Sequence, residues 1–233
     1  MTAPDPEQSM DKYSGESYWD DYHEIARGKS IDQTIKLETW LESFRPLLED
    51  LSGQAILDLG CGSGRDAIAL SLSGFQVSGC DISGIAVEQA RKLAVAQSQD
   101  IDFVQCDIAR PLPYDDGQFA AVICNLTLHM FPASTANEIV AEVKRCLSPG
   151  GLFAFHVNAT DDLPFRRKLQ PPVHALGKGM YCFGRGQTMR FFSEADCRQL
   201  LESWDIALLE PVQMLSPDGE IVKCAWRCAA HRS

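Results

Sequence analysis

The feature that constrains this chain most is a glycine-rich turn between a predicted strand and a predicted helix. Ile56–Gly64 reads Ile-Leu-Asp-Leu-Gly-Cys-Gly-Ser-Gly, and a helical pattern follows over Gly64–Ser73. Glycine allows a tight turn and lets a ligand approach the bare backbone, and the helix after it presents free N–H groups at its start. The segment therefore predicts a ligand-binding turn at the carboxyl end of a strand.

Strands and helices alternate beyond this turn, which predicts an α/β fold with a parallel sheet. The predicted strands are Ala55–Leu59, Phe75–Cys80, Ile101–Cys106, Phe119–Asn125 and Leu152–Val157, with helices over 64–73, about 85–97 and about 134–147. Ser148–Gly151 is predicted as the turn that ends the third of these helices. A helix over Ser193–Ser203 then precedes two strands, Ile206–Leu215 and Ile221–Ala229, whose short Pro-Asp-Gly linker predicts an antiparallel hairpin.

Two regions fall outside this alternation. We expect residues 1–50 to form an N-terminal tail and a helical lid, and residues 51–233 to form the main domain, with a substrate-side insert at about 158–192. In the first region, apolar residues at helical spacing, among them Trp40, Leu41 and Phe44, predict a helix packed on the domain edge, with a lid over a ligand as the alternative. The insert shows no clean period, and a segment this long without regular structure is often functional.

Composition narrows the classes of partner. The 233 residues carry 21 Lys and Arg against 32 Asp and Glu, a net charge of −11, which argues against broad contact with nucleic-acid phosphates. No apolar run approaches the roughly 18–20 residues of a membrane span. The nine cysteines are scattered, and no export signal is recognised, so we expect reduced thiols in a cytoplasmic protein.

Two aspartates at predicted strand ends add to the glycine turn. Asp81 lies 21 residues beyond Gly60, near the position of the acid that holds ribose hydroxyls in nucleotide-binding folds. Asp107 ends the next strand in the equivalent place. Because the carboxyl ends of parallel strands lie at one edge of a sheet, both acids should face the glycine turn.

The spacing of the glycines bears on the ligand. A dinucleotide-binding turn reads Gly-x-Gly-x-x-Gly, whereas the third glycine here comes one residue earlier. Asp58 also precedes the first glycine by two residues, and acids around the turn repel phosphates but suit a cationic ligand. A nucleotide-dependent oxidoreductase is therefore kept only as an alternative.

In combination, Asp58-x-Gly-x-Gly-x-Gly64, Asp81, Asp107 and the terminal hairpin resemble the class I S-adenosylmethionine-dependent methyltransferases. The resemblance covers about 55–157 closely and 193–230 in architecture. It implies a Rossmann-like, seven-stranded, mostly parallel sheet with a C-terminal antiparallel hairpin and helices on both faces. It also implies S-adenosyl-L-methionine as the cofactor and S-adenosyl-L-homocysteine as the product.

The same resemblance assigns cofactor contacts by position. The family's glycine loop lines the methionine moiety, its second-strand acid binds the ribose, its third-strand acid binds the adenine, and the residues after its fourth strand flank the sulfonium. The matching positions are Asp58, Gly60, Cys61, Gly62 and Gly64 for the methionine moiety, Asp81 and Ile82 for the ribose, Asp107 and Ile108 for the adenine, and Asn125 and Leu126 for the sulfonium.

A weaker resemblance is to the tellurite-resistance and thiol methyltransferase-like group. Gly64–Leu70, Ser73–Phe75 and the helix within Phe191–Trp204 carry it. Pro211–Gly219 has no basic residue, where members of that group tend to carry basic substrate contacts. This departure argues against an oxyanion substrate.

Candidate catalytic residues are two histidines near the predicted site. His129 follows the fourth strand and His156 lies late in the fifth; each is a candidate base or substrate contact, with a loop or core role as the alternative. Further candidate substrate contacts are aromatic residues of the lid and basic residues that suit an anion. They are Tyr18, Trp19, Arg65, His174, Arg185 and Arg190.

We therefore expect an enzyme that transfers a methyl group from S-adenosylmethionine to a small-molecule acceptor by in-line displacement. A thiol or other chalcogen, a phenol or a carboxylate is favoured as the acceptor, because these react with little need of a base. The alternatives are a non-catalytic S-adenosylmethionine-binding regulatory protein and a methyltransferase acting on a protein or RNA. We expect no metal, no nucleic acid or membrane partner, and a monomer or homodimer.

Overall fold

The computed structural model describes residues 15–27, 39–169, 172–183, 187–216 and 218–233. The strands are β1 (Ala55–Leu59), β2 (Gln76–Asp81), β3 (Asp102–Gln105), β4 (Phe119–Asn125), β5 (Leu147–Asn158), β6 (Val173–Gly177), β7 (Met180–Phe183), β8 (Thr188–Arg190), β9 (Trp204–Leu215) and β10 (Ile221–Arg232). The α-helices are α1 (Glu16–Arg27), α2 (Thr39–Glu42), α3 (Arg45–Leu48), α4 (Arg65–Leu72), α5 (Gly84–Ala96), α6 (Ala133–Cys146), α7 (Leu163–Leu169) and α8 (Glu194–Leu200). Short 3₁₀ turns lie at Glu49–Leu51, Leu128–Met130 and Thr160–Asp162.

Seven strands form one sheet in the order β3-β2-β1-β4-β5-β10-β9. The first five run parallel, and β10 is antiparallel to both β5 and β9. The order reverses between β1 and β4, and in open sheets of this kind ligands bind outside the carboxyl ends of the strands at such a switch point. The predicted mostly parallel, seven-stranded sheet with a C-terminal antiparallel hairpin is confirmed.

Helices cover both faces of this sheet, as predicted. On one face, α6 and α8 pack through Ile139, Val143 and Leu200 against strand residues such as Phe153. On the other face, α2 to α5 pack against alternate residues of the same strands. Alternate strand side chains point to opposite faces, so each strand contributes to both cores.

The second of these faces, which we call the Trp40 face after the buried indole of α2, carries a polar row at the carboxyl ends of the strands. Asp58 of β1 lies on this face, since its neighbour Ile56 packs in that core. Asn125 of β4 and His156 of β5 are register partners, and His156 is also paired with Arg227 of β10. The row therefore crosses four adjacent strands beside the glycine turn.

The start of β5 differs from the sequence prediction. Ser148–Gly151 was expected to be a turn, yet β5 begins at Leu147, which pairs with Phe119. A register shift follows on β4 between Phe119 and Ala121, and Gly150 has a φ of +74°. A glycine-bearing irregularity of this kind bends a strand without ending it, so the turn residues are absorbed into the strand.

The insert also differs from the expectation of a segment without regular structure. It contains α7 and a separate antiparallel sheet in the order β6-β7-β8. Phe183, Met189 and Phe191 form a small core under this sheet, and Met130 from the segment after β4 packs against it. The insert therefore touches the chain segment that follows the fourth strand.

The predicted N-terminal helix is divided in the structure. Trp40, Leu41 and Phe44 are buried in the second core, as part of α2 and the turn after it, which agrees with a helix packed on the domain edge. The predicted tail, the first dozen residues, and the N-terminal part of that predicted helix lie outside the described residues. Within the described ranges, no helix is long and apolar enough to cross a membrane.

Candidate cofactor and acceptor site

The glycine turn is held open for a ligand by its own backbone. Gly60, Gly62 and Gly64 all have positive φ angles, of +76°, +51° and +78°, where residues with a Cβ are strained. The N–H groups of Gly60 and Cys61 donate to the carbonyl of Cys80 at 2.8 and 2.9 Å. A Cβ on Gly60 would lie 2.5 Å from Thr127 Oγ1, so glycine is required here by space as well as by conformation.

Gly64 has a different task from the two glycines before it. It precedes α4, and a Cβ on it would lie 2.8 Å from both Ala90 Cβ and Phe103 Cζ. It does not line either of the two pockets described below. Its absent side chain lets the turn pack closely against α5 and β3, so the structure gives it a packing role where a cofactor contact was expected.

Two adjoining pockets open on either side of the glycine turn. The Asp81 pocket is lined by Asp81, Ile82, Asp107 and Ile108, together with Thr127, Met130 and Phe131 from the segment after β4. The His156 pocket is lined by Trp40, Asp58, Cys61, Arg65, His156 and Met214. The two share His23, Gly60, Gly62, Asn125 and Leu126. All of the predicted cofactor residues except Gly64 therefore meet in one continuous cleft.

Asp81 is positioned by two backbone donors. Its Oδ2 accepts from Gly62 N–H at 2.8 Å, and its Oδ1 accepts from Ser83 N–H at 3.0 Å. Each carboxylate oxygen has a second lone pair, so the group can still accept from two hydroxyls. Asp107 is held in the same way, with its Oδ1 accepting from Ala109 N–H at 2.9 Å.

Asp58 lies at the inner end of the cleft, in an acidic cluster. Its side chain is 2% exposed, and Oδ2 accepts from Ala67 N–H at 3.1 Å. Burial raises the pKa of Asp58 well above its usual range, and the neighbouring Asp66 raises it further. Asp66 in turn accepts from Trp40 Nε1 and Asn125 Nδ2, both at 3.1 Å. A ligand with a positive charge would relieve this concentration of acids.

Helix α1 forms one wall of the Asp81 pocket through Trp19, Tyr22 and His23. It is fastened to the domain by polar contacts: Ser83 Oγ donates to Asp20 Oδ1 at 2.5 Å, and Gln105 Nε2 donates to Glu16 Oε1 at 2.9 Å.

The i, i+3, i+4 spacing puts the three lining residues on one side of α1, a signal that could have identified Tyr22 and His23 from the sequence. Burial lowers the pKa of His23. Tyr18 packs edge-on against Trp19, with ring centroids 5.3 Å apart, and does not line the pocket.

His156 stacks on Trp40 in the second pocket. Their ring centroids are 6.1 Å apart with an interplanar angle of 5°. The imidazole is 1% exposed, and neither of its nitrogens has a hydrogen-bond partner in the described part of the chain. Burial lowers the pKa of His156 to about 3, aided by the positive charges of Lys223 and Arg227.

His129 lies in the 3₁₀ turn after β4 but points into the protein. It is 3% exposed and lines neither pocket, whereas its neighbours Thr127, Met130 and Phe131 line the Asp81 pocket. Burial lowers the pKa of His129 well below the usual value, and the positive charges of Lys223 and Arg166 lower it further. Its expected role as a base beside the methyl donor is not favoured by this placement.

The basic residues predicted in the insert do not gather at the cleft. His174 is exposed on β6. Arg190 is bound to Asp196 at 2.7 Å, and its guanidinium lies 4.2 Å from the centroid of the Phe192 ring, so it joins β8 to the start of α8. Arg185 lies outside the described residues. Of the six predicted substrate contacts, the structure places Trp19 and Arg65 in the cleft.

The cysteines near the cleft are free, as are all nine in the chain. Burial raises the pKa of Cys61 well above its usual value, and Asp58 and Asp81 add to this effect. Among the described residues, no group of three or more His, Cys, Asp or Glu side chains is arranged to hold a metal ion. The cleft is thus built from carboxylates, backbone N–H groups and aromatic rings.

A glycine turn, two strand-end carboxylates and a switch point between β1 and β4 define a cofactor-binding α/β transferase of the methyltransferase type. Comparison with known families gives the same answer, since residues 56–151 match the methyltransferase domain family. Residues 56–151 therefore carry a methyltransferase domain, and structures of the same fold are solved with bound S-adenosylhomocysteine or S-adenosylmethionine.

Individual relatives resemble part of the chain. An uncharacterized methyltransferase of Synechocystis is 38% identical over 117 residues, which cover 48% of this chain and 53% of that protein. The 27-O-demethylrifamycin SV methyltransferase of Amycolatopsis mediterranei is 30% identical over 171 residues, which cover 66% of this chain and 59% of that protein. The chain spans about half the length of the first curated relatives it matches.

A solved structure extends the likeness of the fold to the whole chain. The 1,6-didemethyltoxoflavin-N1-methyltransferase of Burkholderia thailandensis superimposes with a TM-score of 0.69 at 18% identity, covering 100% of this chain and 92% of that one. That structure contains bound S-adenosylhomocysteine. At this identity the match describes the fold alone.

Proposed function

We propose that this protein transfers the methyl group of S-adenosylmethionine to a small-molecule acceptor. The observation that carries the proposal is the convergence of the Gly60–Gly62 turn, Asp81 and Asp107 in one cleft, with both carboxylates oriented by backbone N–H groups. Preorganised acceptors of this kind bind hydroxyl and amine donors without first rearranging.

The cleft fits the cofactor at three points. Asp81 would accept from the ribose hydroxyls beside Ile82, and Asp107 would accept from the adenine amine with Ile108 on the ring. Gly60, Cys61 and Gly62 would line the methionine moiety, whose amino group suits Asp58. Asn125 and Leu126, shared by both pockets, would flank the sulfonium. When bound, S-adenosylmethionine supplies an electrophilic methyl group on a cationic sulfur.

The electrostatics of the inner cleft suit such a cation. Burial raises the pKa of Asp58, and repulsion from Asp66 and Asp81 raises it further. A positive charge nearby favours the ionised form of such a carboxyl group. A phosphate in the same place would meet like charge. This argues against a dinucleotide in the cleft and supports the sulfonium cofactor.

The reaction itself requires alignment more than acid–base chemistry. Holding a nucleophile in line with the methyl carbon can supply up to about 7–11 kcal/mol of the barrier. Two imidazoles, His23 and His156, line the second pocket. Burial lowers the pKa of both, that of His156 to about 3, and this weakens them as bases near neutral pH. The protein is therefore suited to acceptors that react as anions, such as thiols, phenols and carboxylic acids, in preference to alcohols.

Two features support a small acceptor. Helix α1 closes one wall of the cleft with Trp19 and Tyr22, which leaves a recess more than an open platform. The net charge of −11 disfavours a polyanion. A relative named for a small acceptor, the rifamycin enzyme, supports this proposal, although a ribosomal RNA methyltransferase of Chromohalobacter salexigens is also 30% identical over 149 residues.

The test is a turnover assay in which S-adenosylhomocysteine formation is measured across a panel of thiol, selenol, phenol, carboxylate, amine and alcohol acceptors. We expect product with at least one thiol, phenol or carboxylate, and strongly reduced product in Asp81→Asn. Asp205→Asn, on the exposed surface of β9, is the matched control and should keep full activity.

Three outcomes separate the alternatives. Binding of S-adenosylhomocysteine without turnover on any small acceptor, protein extract or RNA would indicate a regulatory cofactor-binding protein. Turnover confined to RNA or to protein would contradict the small-molecule assignment. Binding of NAD in place of S-adenosylhomocysteine would overturn the cofactor itself.

A further inference from the structure

Beside the His156 pocket, although not among its lining residues, lies a lysine that sequence reasoning did not single out. Lys223 lies on β10 directly opposite Met214 of β9, and Met214 lines the pocket. Arg227 lies opposite His156 in the same way. Directly opposed residues of antiparallel strands project to the same face, so Lys223 and Arg227 stand on the face that carries the pocket.

Two buried histidines have unused hydrogen-bonding atoms: His156, which lines the pocket, and His129, which lies outside it. His156, 1% exposed, has no partner at either ring nitrogen among the described residues, and His129, 3% exposed, has none at Nδ1. Leaving a buried polar group unsatisfied costs about 1–3 kcal/mol. Such a cost at a pocket wall is offset when a ligand supplies the missing partner.

The charges around Lys223 leave one of them uncommitted. Arg166 pairs with the buried Asp162 at 2.9 Å, and Arg227 pairs with Glu210 at 2.7 Å. Lys223 makes no ion pair or hydrogen bond with any residue in the described ranges. Of these three cations, Lys223 is the one without an ion-pair partner among the described residues.

We propose that Lys223 binds a carboxylate of the methyl acceptor in the His156 pocket, with the His156 ring hydrogen-bonded to the same molecule. This inference rests on the proposed methyltransferase function and adds the substrate class, a monoanionic carboxylic acid. One uncommitted ammonium matches one negative charge, and the neighbouring Arg166 and Arg227 are already paired with acids.

The arrangement also separates charge along the cleft. Acids surround the glycine turn at β1, while the uncommitted cation lies at β10, two strands beyond Asn125 of β4. A carboxylate ligand would be drawn to the β10 end and repelled from Asp58 and Asp66. This polarity orients an asymmetric acceptor before any specific contact forms.

The protonation of Lys223 supports the same picture. Burial and the neighbouring Arg166 lower the pKa of Lys223 to about 8, while Asp162 acts in the opposite direction. The other charged and titratable groups that face this region are His129, His156, Arg227 and Glu210. Lys223 is thus largely an ammonium at neutral pH and loses its charge in mildly alkaline solution.

The test is a calorimetric titration of the full chain, with and without S-adenosylhomocysteine, using acetate, benzoate and 3-phenylpropionate beside their amides. We expect at least one acid to bind about tenfold or more tightly than its amide at neutral pH. That preference should disappear in Lys223→Met, which keeps most of the length of the side chain and removes its charge. Lys92→Met, on the exposed surface of α5, should keep it.

A second arm uses pH and a conservative variant. The wild-type preference for the acid should fall as the pH rises past about 8, and Lys223→Arg should retain it at higher pH because guanidinium stays protonated. Equal binding of acid and amide, no acid binding at all, an unchanged preference in Lys223→Met, or tighter binding of inorganic phosphate than of every acid would each overturn the inference. The same samples bind S-adenosylhomocysteine if the proposed function holds, so the two failures are distinguishable.

Discussion

The two ends of the cleft treat their polar groups in opposite ways. At the glycine-turn end, Asp58, Asp81 and Asp107 each accept at least one backbone N–H bond at 2.8–3.1 Å. At the β5–β10 end, the imidazole of His156 and the ammonium of Lys223 have no partner within the described residues. The first end is held in place by the chain itself, and the second is completed only by a ligand.

This difference matches the demands on each end. The cofactor is the same molecule in every turnover, so carboxylates fixed on adjoining loops can bind it. The acceptor must enter and leave in each turnover. Side chains that have no partner in the free protein can bind it without first breaking an internal hydrogen bond or ion pair. The unpaired end carries the cost in stability, and the paired end supplies rigidity.

The largest expected effect tests the rigidity of the glycine turn. Gly64→Ala places a Cβ 2.8 Å from Ala90 and Phe103 at a φ of +78°, and should lower the free energy of unfolding by about 3 kcal/mol through strain and overpacking. Gly53→Ala is the matched control, because its φ is +76° but no atom lies within 4 Å of the added Cβ. Denaturant titration of both variants should show the loss at Gly64 to be clearly larger; equal losses would mean that packing at the turn is unimportant.

The next effect concerns Arg190, which forms an ion pair with Asp196, whereas Lys223 forms none with the described residues. Arg190→Met removes the partner of Asp196 and the contact with Phe192, and should cost about 2 kcal/mol of stability without changing KM for the acceptor. Arg198→Met, which breaks an exposed pair with Glu194, should cost less than about 0.5 kcal/mol. A selective rise in KM for Arg190→Met at unchanged stability would restore it as a substrate contact.

Helix α1 gives a prediction of intermediate size. Trp19→Ala removes an aromatic wall of the Asp81 pocket and should weaken S-adenosylhomocysteine binding about tenfold. Ile25→Ala lies on the same helix but is 66% exposed, so it should leave the affinity unchanged. Identical affinities for the two variants, measured by calorimetry, would show that α1 does not contact the cofactor.

The smallest effect is a change in the pH dependence of stability. The pKa of His156 is lowered from 6.5 to about 3 in the folded protein, so the unfolded chain binds more protons between these values. The free energy of unfolding therefore rises with pH across this window and falls on acidification, by about 1 kcal/mol from about pH 6.5 to about pH 5.5 for this one group.

His156→Phe keeps a ring against Trp40 and removes the titration, so its acid sensitivity should be smaller by that amount. His174→Phe, on exposed β6, is the control and should retain the wild-type slope. Contributions from His129, His23 and Asp58 are common to all three proteins and cancel in the comparison. Parallel denaturation curves for wild type and His156→Phe would contradict the buried, neutral state of this ring.

The two ends also differ in how far the sequence could predict them. Near the glycine turn, some hydrogen bonds join residues close in the chain, such as Asp81 with Ser83 and Asp107 with Ala109. The positions of both acids at strand ends could be read from the sequence. The bounds of β1 and β4 agree with the predicted strands residue for residue, because each is a short apolar run between turns. Ser193 caps the start of α8 with its own side chain, which is likewise a local interaction.

The acceptor end depends on contacts that no local pattern contains. His156, Trp40 and Lys223 come together only through the order of the sheet and the register of β10. The 3₁₀ turn that contains His129 packs against β8 of the insert, whose three-stranded sheet shows no clear period in the sequence. The pairing of Arg190 with Asp196 explains why a basic residue in an insert need not be a ligand contact.

The most direct test of the account is a calorimetric titration of S-adenosylhomocysteine into wild type, Asp81→Asn and Asp205→Asn. The account predicts one-to-one binding in wild type and Asp205→Asn, and binding weaker by about tenfold or more in Asp81→Asn, because one oxygen of the ribose acceptor becomes a donor. An unchanged affinity in Asp81→Asn, or no binding in wild type, would contradict the assignment of this cleft to the methyl donor.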